Sequence, residues 1–243
     1  MQPLVTVTSN IADVMKRVRK VPERVINVSN AKALTFAAEA GQKAIRDTER
    51  EVFDRPTEYT LNATYIKPAT VNDPVAAVYL KRFSGVPADR YLLPEIEGGT
   101  RHQKSTERQL APLMRGFRFV VPADLVKRDG YGNVPGNVFM QILSQLKVAT
   151  DGYQNQTATS KRRGERKRNG WGNYFIPPVG SRLKPGVYQR MGRNIAPVLL
   201  FTERVHYKKR LDFYGVGMAA ARAAYPIKFE EQVDREMKRL LNG

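Results

Sequence analysis

The sequence predicts an α+β fold, in which an antiparallel β-sheet packs against a long N-terminal helix and a C-terminal helix, with a protruding basic loop or arm. Three observations predict it. Apolar side chains recur at helical spacing over residues 22–50, polar and apolar residues alternate before an apolar run at 75–82, and helical spacing returns in the last segment. We therefore expect one α+β domain over residues 1–243, with the basic loop or arm at 149–170.

The N-terminal third is predicted to begin with a short strand and two helices. Residues 3–8 alternate loosely and predict the strand, after which Ser9 or Asn10 caps a short first helix. Pro22 suits the first turn of the second helix, which is the long one. The many alanines beside Gly41 indicate that this helix packs closely against a sheet or another helix.

A β-hairpin is predicted next. Alternation over 59–65 indicates one strand, residues 72–74 give a turn signal, and 75–82 form the second, antiparallel strand. The later elements are a helix around 104–114, a strand at 117–121, a helix at 137–147, strands at 186–190 and 197–205, and a terminal helix broken near Pro226.

Residues 91–101 sustain neither helical nor strand periodicity, so they predict a shaped connection. Pro94 restricts the residue before it, and the Gly98-Gly99 pair permits a sharp reversal. We expect this connection to be an assembly element in which three apolar residues contact a neighbouring subunit. The alternative is that they close the subunit's own core. The three residues are Tyr91, Leu92 and Leu93.

The formal net charge of +18 is the strongest compositional signal, since 41 Lys and Arg face only 23 Asp and Glu. It predicts a polyanionic partner, either nucleic acid or the acidic surface of neighbouring proteins. The tract at 161–168 is the densest basic run, and Trp171, Tyr174 and Phe175 follow it. These aromatics either stack on bases or anchor a solvated arm to the core. The cations predicted to contact the partner are Lys161, Arg162, Arg163, Arg166, Lys167 and Arg168.

Several classes of chemistry find no support. Cysteine is absent, which excludes disulfides, cysteine-based zinc sites and a cysteine nucleophile. The two histidines, His102 and His206, lack metal-ligand spacing, and neither a nucleophile elbow nor a phosphate-binding loop is present. Gly215-x-Gly217-x-x-Ala220 is better explained by tight helix packing than by dinucleotide binding. We expect no enzymatic activity, no metal and no cofactor.

The chain also gives no targeting signal. Its first residues have no positive region followed by an apolar core, and no apolar run approaches the roughly 20 residues of a membrane span. We expect a soluble product that is made in the cytoplasm and has no membrane partner.

Four blocks, taken in order, resemble bacteriophage tail-completion proteins, including the minor tail protein Z type. They are residues 52–70, 91–101, 129–133 with 141–144, and 185–190 with 197–201. The resemblance implies a structural virion protein at the head–tail junction or tail end, arranged as a ring of copies around the DNA channel. Its partners would be other copies of itself, portal, connector or tail-tube proteins, and DNA contacted non-specifically. It brings no catalytic residue. The alternative function is a non-specific nucleic-acid-binding protein acting in packaging or RNA metabolism.

Overall fold

The structure is a computed structural model, and the predicted fold class is confirmed. A long N-terminal helix, antiparallel sheets and a long C-terminal helix are all present. The chain, expected as one domain, divides into two compact units. The terminal unit is Met1–Gly99 with Tyr207–Gly243, and the central unit is Thr100–His206. The described residues are 5–8, 21–83, 85–124, 126–166 and 173–242, without the side chains of 163–166.

Seven helices and nine strands lie within the described residues, along with short 3-10 turns at Ala111–Leu113 and Gly152–Gln154. In chain order they are β1 (Val5–Val7), α1 (Glu23–Val52), α2 (Glu58–Leu61), β2 (Thr64–Lys67), β3 (Ala76–Leu80), α3 (Asp89–Glu97), β4 (Gly99–Thr100), α4 (Ser105–Leu110), β5 (Phe119–Pro122), α5 (Gly136–Gln145), α6 (Ala158–Arg166), β6 (Asn173–Phe175), β7 (Gly186–Met191), β8 (Asn194–Thr202), β9 (His206–Tyr207) and α7 (Phe213–Leu241). The predicted first helix falls at 9–20, outside the described residues.

The terminal unit is built on the crossing of α1 and α7. A Cβ placed on Gly41 would lie 2.8 Å from the carbonyl oxygen of Gly217, and one on Gly217 would lie 2.9 Å from Cδ1 of Ile45. A side chain at Gly41 would therefore collide with the backbone of α7, and one at Gly217 would require Ile45 to move. This confirms close helix packing for Gly41 and Gly217, whereas a Cβ on Gly215 would meet the side chain of Asp212, which caps its own helix.

A three-stranded antiparallel sheet of order β1-β3-β2 completes the terminal unit. Val78 of the central strand is fully buried and lies opposite Val5 on one side and Ile66 on the other. The predicted hairpin is confirmed, but its first strand begins later than expected. Residues 58–61 form α2 instead, because Thr57 caps that helix by accepting a hydrogen bond from the backbone N–H of Thr60 at 3.2 Å.

Two sequence predictions in the terminal unit are wrong. Residues 91–97 belong to α3, which contains Pro94 and ends where Gly98 takes a φ of 80°. Burial of Leu92 and Ile96, one helical turn apart, overrides the unfavourable proline. Likewise, α7 runs through Pro226 without a break. The carbonyl that this proline leaves without a helical donor belongs to Arg222, which is exposed, so water can bond to it.

The central unit contains a four-stranded antiparallel sheet of order β5-β8-β7-β6, on which α4 and α5 pack. The helices and strands predicted between 104 and 205 are present within a few residues of their predicted bounds. Gly186 lies so close to β8 that a Cβ would sit 2.3 Å from the carbonyl oxygen of Leu199. The core of the unit consists of Leu110, Met114, Val120, Ile142, Leu143, Val187, Val198, Leu199 and Phe201.

Candidate functional site

The positive charge of the chain is concentrated in the central unit. That unit has 19 Lys and Arg but only six Asp and Glu, a formal net charge of +13. The terminal unit is larger, yet its 22 Lys and Arg face 17 Asp and Glu, which leaves +5. The central unit is therefore where a polyanionic partner would be attracted most strongly.

One ion pair of the central unit is fully buried and serves the fold. Arg101 donates two hydrogen bonds to the carboxylate of Glu107, which also accepts the backbone N–H groups of Lys104 at 2.7 Å and Val120 at 2.9 Å. Burial opposes ionisation of Glu107, but the hydrogen bonds from Arg101, Val120 and Lys104 outweigh it and hold its pKa below the usual value. The bond from Val120 ties α4 to β5, the bond from Lys104 caps α4, and Arg101 joins the segment before α4 to the helix. With four bonds accepted, this carboxylate has no capacity left for a ligand.

Apart from Arg101, each Lys or Arg side chain that is described in the central unit is exposed. None of them forms an ion pair with a described carboxylate, since Arg101–Glu107 is the one such pair found there. The unit thus presents uncompensated cations to its surroundings. These are Lys104, Arg108, Arg115, Arg118, Lys127, Arg128, Lys147, Lys161, Arg162, Arg182, Lys184, Arg190, Arg193 and Arg204.

The longest acid-free part of the central unit covers strands β6, β7 and β8. No Asp or Glu occurs between Glu165 and Glu203, whereas seven Lys and Arg do. Arg190 lies over the ring of Phe175 at 5.6 Å, a cation–π contact that orients the guanidinium and leaves its charge uncompensated. Arg193 lies in the β7–β8 turn, and Arg182 and Lys184 precede β7. Sequence reasoning singled out the 161–168 tract and missed these four residues.

The predicted basic arm contains a helix. Thr157 begins α6 by accepting the backbone N–H of Ser160 at 3.2 Å, so residues 158–166 of the predicted basic loop or arm are helical. Lys161 and Arg162 are exposed on this helix. The remaining predicted contact residues are less informative, since Arg163 and Arg166 belong to α6 with side chains that are not described, and Lys167 and Arg168 fall outside the described residues.

The aromatic residues after the basic tract pack onto the unit's own core. Tyr174 is half-buried, its backbone N–H bonds to the side chain of Gln145 at 2.9 Å, and burial raises the pKa of its phenol. The ring of Phe175 contacts that of Tyr188, with centroids 6.1 Å apart, and also lies under the guanidinium of Arg190. Two roles were expected for these aromatics, base stacking and anchoring the arm to the core. The packing of Tyr174 and that of Phe175 both match the anchoring role. Trp171 lies outside the described residues.

Two other tyrosines are far more exposed, and sequence reasoning missed them as functional residues. Tyr153 is 99% exposed in the 3-10 turn after α5, and Tyr131 is 51% exposed in the turn before it. Both follow an Asp-Gly pair, so the repeated Asp-Gly-Tyr sequence was the available signal.

The three residues predicted to contact a neighbouring subunit lie on α3 in the terminal unit. Leu92 is 1% exposed and belongs to the core, which matches the alternative given for it. Leu93 and Tyr91 are half-buried. Tyr91 borders an open groove of about 560 Å³ together with Tyr59, Phe83 and Val86, and each of these three is more than half exposed. Burial, with smaller contributions from Tyr59 and Glu49, raises the pKa of Tyr91 to about 12.

The described residues hold no group of three or more His, Asp or Glu placed to bind a metal ion. His102 and His206 are exposed. Across the same residues, no helix is both long and apolar enough to cross a membrane. Comparison with known proteins gives no match, whether to a protein-family model, to a curated protein or to a solved structure.

Proposed function

We propose that this chain is a non-enzymatic structural subunit of a tailed-bacteriophage particle, a tail-completion or neck protein whose central unit faces the DNA in the head–tail channel. The sequence resemblance over four blocks between residues 52 and 201 supports the structural role. The observation that carries the DNA-facing role is the central unit's +13 charge, displayed on exposed cations without carboxylate partners.

Such a surface suits contact with phosphates and carries no information about base sequence. Lys and Arg that neutralise phosphates release counterions, so binding weakens steeply with salt and is shared by all sequences. A subunit that lines a DNA conduit needs this property, because every part of the genome passes it. Ring assembly also requires two different complementary patches, and we assign one of them to the groove bordered by Tyr91 on the terminal unit.

Fluorescence anisotropy with a labelled DNA duplex, over 50–200 mM salt, tests the DNA-facing role. The variant changes Arg182, Lys184, Arg190 and Arg193 to Gln, all exposed in the acid-free stretch. We expect the slope of log K against log salt to fall by about 0.9 for each of these side chains that contacts a phosphate. The matched control changes four ion-paired cations of the terminal unit to Gln: Lys43, Arg50, Lys67 and Lys228. Equal losses in the two variants would refute the assignment.

A second experiment separates the two candidate functions. Charge alone also fits a non-specific nucleic-acid-binding protein that acts in packaging or RNA metabolism, outside the finished particle. Antibody detection in purified particles, after a high-salt wash that strips loosely bound cationic proteins, supports the structural role. Particles that lack the protein but keep their heads and tails joined would favour the alternative.

A further inference from the structure

Two turns of the central unit share one sequence and one construction. They are Asp129-Gly130-Tyr131 and Asp151-Gly152-Tyr153. In each, the Asp carboxylate accepts a hydrogen bond from the backbone N–H of the tyrosine two residues later, at 2.9 Å and 3.0 Å respectively. The turns flank α5, one before its first residue and one after its last.

The first turn is closed by further hydrogen bonds. The carboxylate of Asp129 also accepts the backbone N–H of Asn133 at 2.8 Å, and the backbone N–H of Asp129 bonds to the carbonyl of Asn133 at 2.8 Å. Arg128 donates to the carbonyl oxygen of Gly132 at 3.1 Å. The backbone that carries Tyr131 is therefore held in place before any ligand arrives.

The second turn is fastened to the end of α5. The hydroxyl of Ser144 donates to the carbonyl of Gln154 at 2.6 Å, and the backbone N–H of Gln156 bonds back to the carbonyl of Ser144 at 3.0 Å. The side-chain oxygen of Asn155 accepts the backbone N–H of Ala149 at 3.2 Å. The most exposed large apolar side chain found among the described residues, Tyr153, thus projects from a well-bonded turn.

Both turns have exposed cations close to them in sequence. Lys127 and Arg128 precede the first turn, and Lys147, Lys161 and Arg162 lie on either side of the second in sequence, all of them exposed. The nearest carboxylates in sequence, those of Asp129 and Asp151, accept backbone N–H groups and form no ion pair with a described cation. An exposed aromatic face beside uncompensated cations is the combination that binds single-stranded nucleic acid, by stacking on bases and pairing with phosphates.

We propose that Tyr131 and Tyr153 are stacking surfaces for unpaired bases, so that the central unit binds single-stranded nucleic acid in addition to duplex. This inference rests on the proposed DNA-facing role and names a second form of the same ligand. The two turns precede and follow the ten-residue helix α5 in the chain, and we assign the two rings to different nucleotides of one strand. Bases inside a duplex have both faces covered by their neighbours, and the tyrosines therefore add little to duplex affinity.

Anisotropy with a labelled thymidine 30-mer and with a duplex of equal length tests the proposal. We expect Tyr131→Ala and Tyr153→Ala each to lower affinity for the single strand by about 5- to 100-fold. Duplex affinity should change less than about twofold. Tyr131→Phe and Tyr153→Phe should keep single-strand affinity, because the ring and not the hydroxyl stacks. Tyr214→Ala is the matched control, since this tyrosine is 37% exposed on the terminal unit.

The outcomes separate the two proposals. If the Ala variants lose no more single-strand affinity than Tyr214→Ala does, the stacking role is wrong, while salt-dependent duplex binding leaves the proposed function intact. The stacking role is also wrong if the Ala variants lose single-strand and duplex affinity equally. It is wrong as well if they abolish association with another protein while single-strand binding is unchanged. Failure of the wild-type protein to bind either DNA would overturn both. Stacking also predicts that the ratio of wild-type to Ala affinity persists at 200 mM salt.

Discussion

The terminal unit pairs nine of its 18 described Lys and Arg residues with carboxylates, whereas the central unit leaves all of its described surface cations without carboxylate partners. Nine ion pairs lie among the described residues of the terminal unit. In seven of them at least one side chain is more than half exposed. In an eighth, Lys228–Glu231, both side chains are more than a third exposed. The corresponding part of the central unit has one, and it is buried. Exposed pairs add little stability, so their main effect is to neutralise a surface. The central unit keeps its surface charge available for a partner.

The two units also differ in how each treats a buried glutamate. Glu107 of the central unit accepts four hydrogen bonds from Arg101 and two backbone amides. Glu49 of the terminal unit is 1% exposed, and its Oε1 has no hydrogen-bond partner. Burial raises the pKa of Glu49 to about 7, although Arg46 and Arg50 act against the rise. One carboxylate therefore stabilises its unit as an anion, and the other destabilises its unit when it ionises.

Breaking the buried pair of the central unit should have the largest effect on stability. Glu107→Gln leaves Arg101 as a buried cation without a counterion, and we expect a loss of about 3–5 kcal/mol in the free energy of unfolding. Because the pKa of Glu107 is lowered in the folded state, its contribution is present at neutral pH and is lost as the pH falls through that pKa. Urea unfolding at several pH values, with hydrogen exchange of the α4 and β5 amides, measures the loss of stability and its pH dependence.

The matched control for this variant is Glu203→Gln, which removes an exposed carboxylate from the same unit. The double variant Arg101→Met with Glu107→Leu removes both charges, and it should recover much of the stability that Glu107→Gln loses. If Glu107→Gln were no more harmful than Glu203→Gln, the buried pair would not be what stabilises this part of the central unit.

The corresponding change in the terminal unit should have the opposite sign. Glu49→Gln removes a carboxyl group whose folded-state pKa is raised, so the wild-type protein loses stability as the pH rises from about 4.5 through about 7. At pH 8 we expect the variant to be more stable by at most about 3 kcal/mol, and below pH 4.5 the two proteins should differ little. Urea midpoints across this pH range measure the effect.

Glu51→Gln is the control for Glu49→Gln, because it removes an exposed carboxylate two residues away on the same helix. Its urea midpoint should follow that of the wild-type protein at every pH. A loss of stability for Glu49→Gln at pH 8 would mean that the anion has a partner, and the contrast between the two buried glutamates would fail.

Much of the fold was predictable because its strongest signals are local. The length of α1, the β2–β3 hairpin and the strands of the central unit follow from periodicity and turn residues. The close helix crossing follows from the small residues around Gly41 and Gly217. Helix α3 was missed because its nine residues include Pro94, and what overrides the proline is burial of Leu92 and Ile96, which depends on the assembled core.

The candidate site was less predictable, for two physical reasons. Charge asymmetry becomes visible only once the boundaries of the units are known, and the terminal unit is built from both ends of the chain. The second reason is exposure. The tripeptide Asp-Gly-Tyr occurs twice in the sequence, but only the fold shows that Tyr153 is 99% exposed and that Tyr174 packs on the core. The basic tract at 161–168 drew attention because it is contiguous, whereas Arg182, Lys184, Arg190 and Arg193 are scattered in sequence.

The variant with the smallest expected effect tests whether ion pairing of the exposed cations is what distinguishes the surfaces of the two units. Changing Asp47 and Asp73 to Asn and Glu231 to Gln frees four cations of the terminal unit: Lys43, Arg50, Lys67 and Lys228. We expect no measurable change in the urea midpoint, because exposed pairs contribute little. If uncompensated cations bind DNA, this variant should gain duplex affinity at 50 mM salt and lose the gain at 200 mM, where screening is stronger. Unchanged DNA affinity would show that the arrangement of the central unit's cations matters beyond their lack of partners.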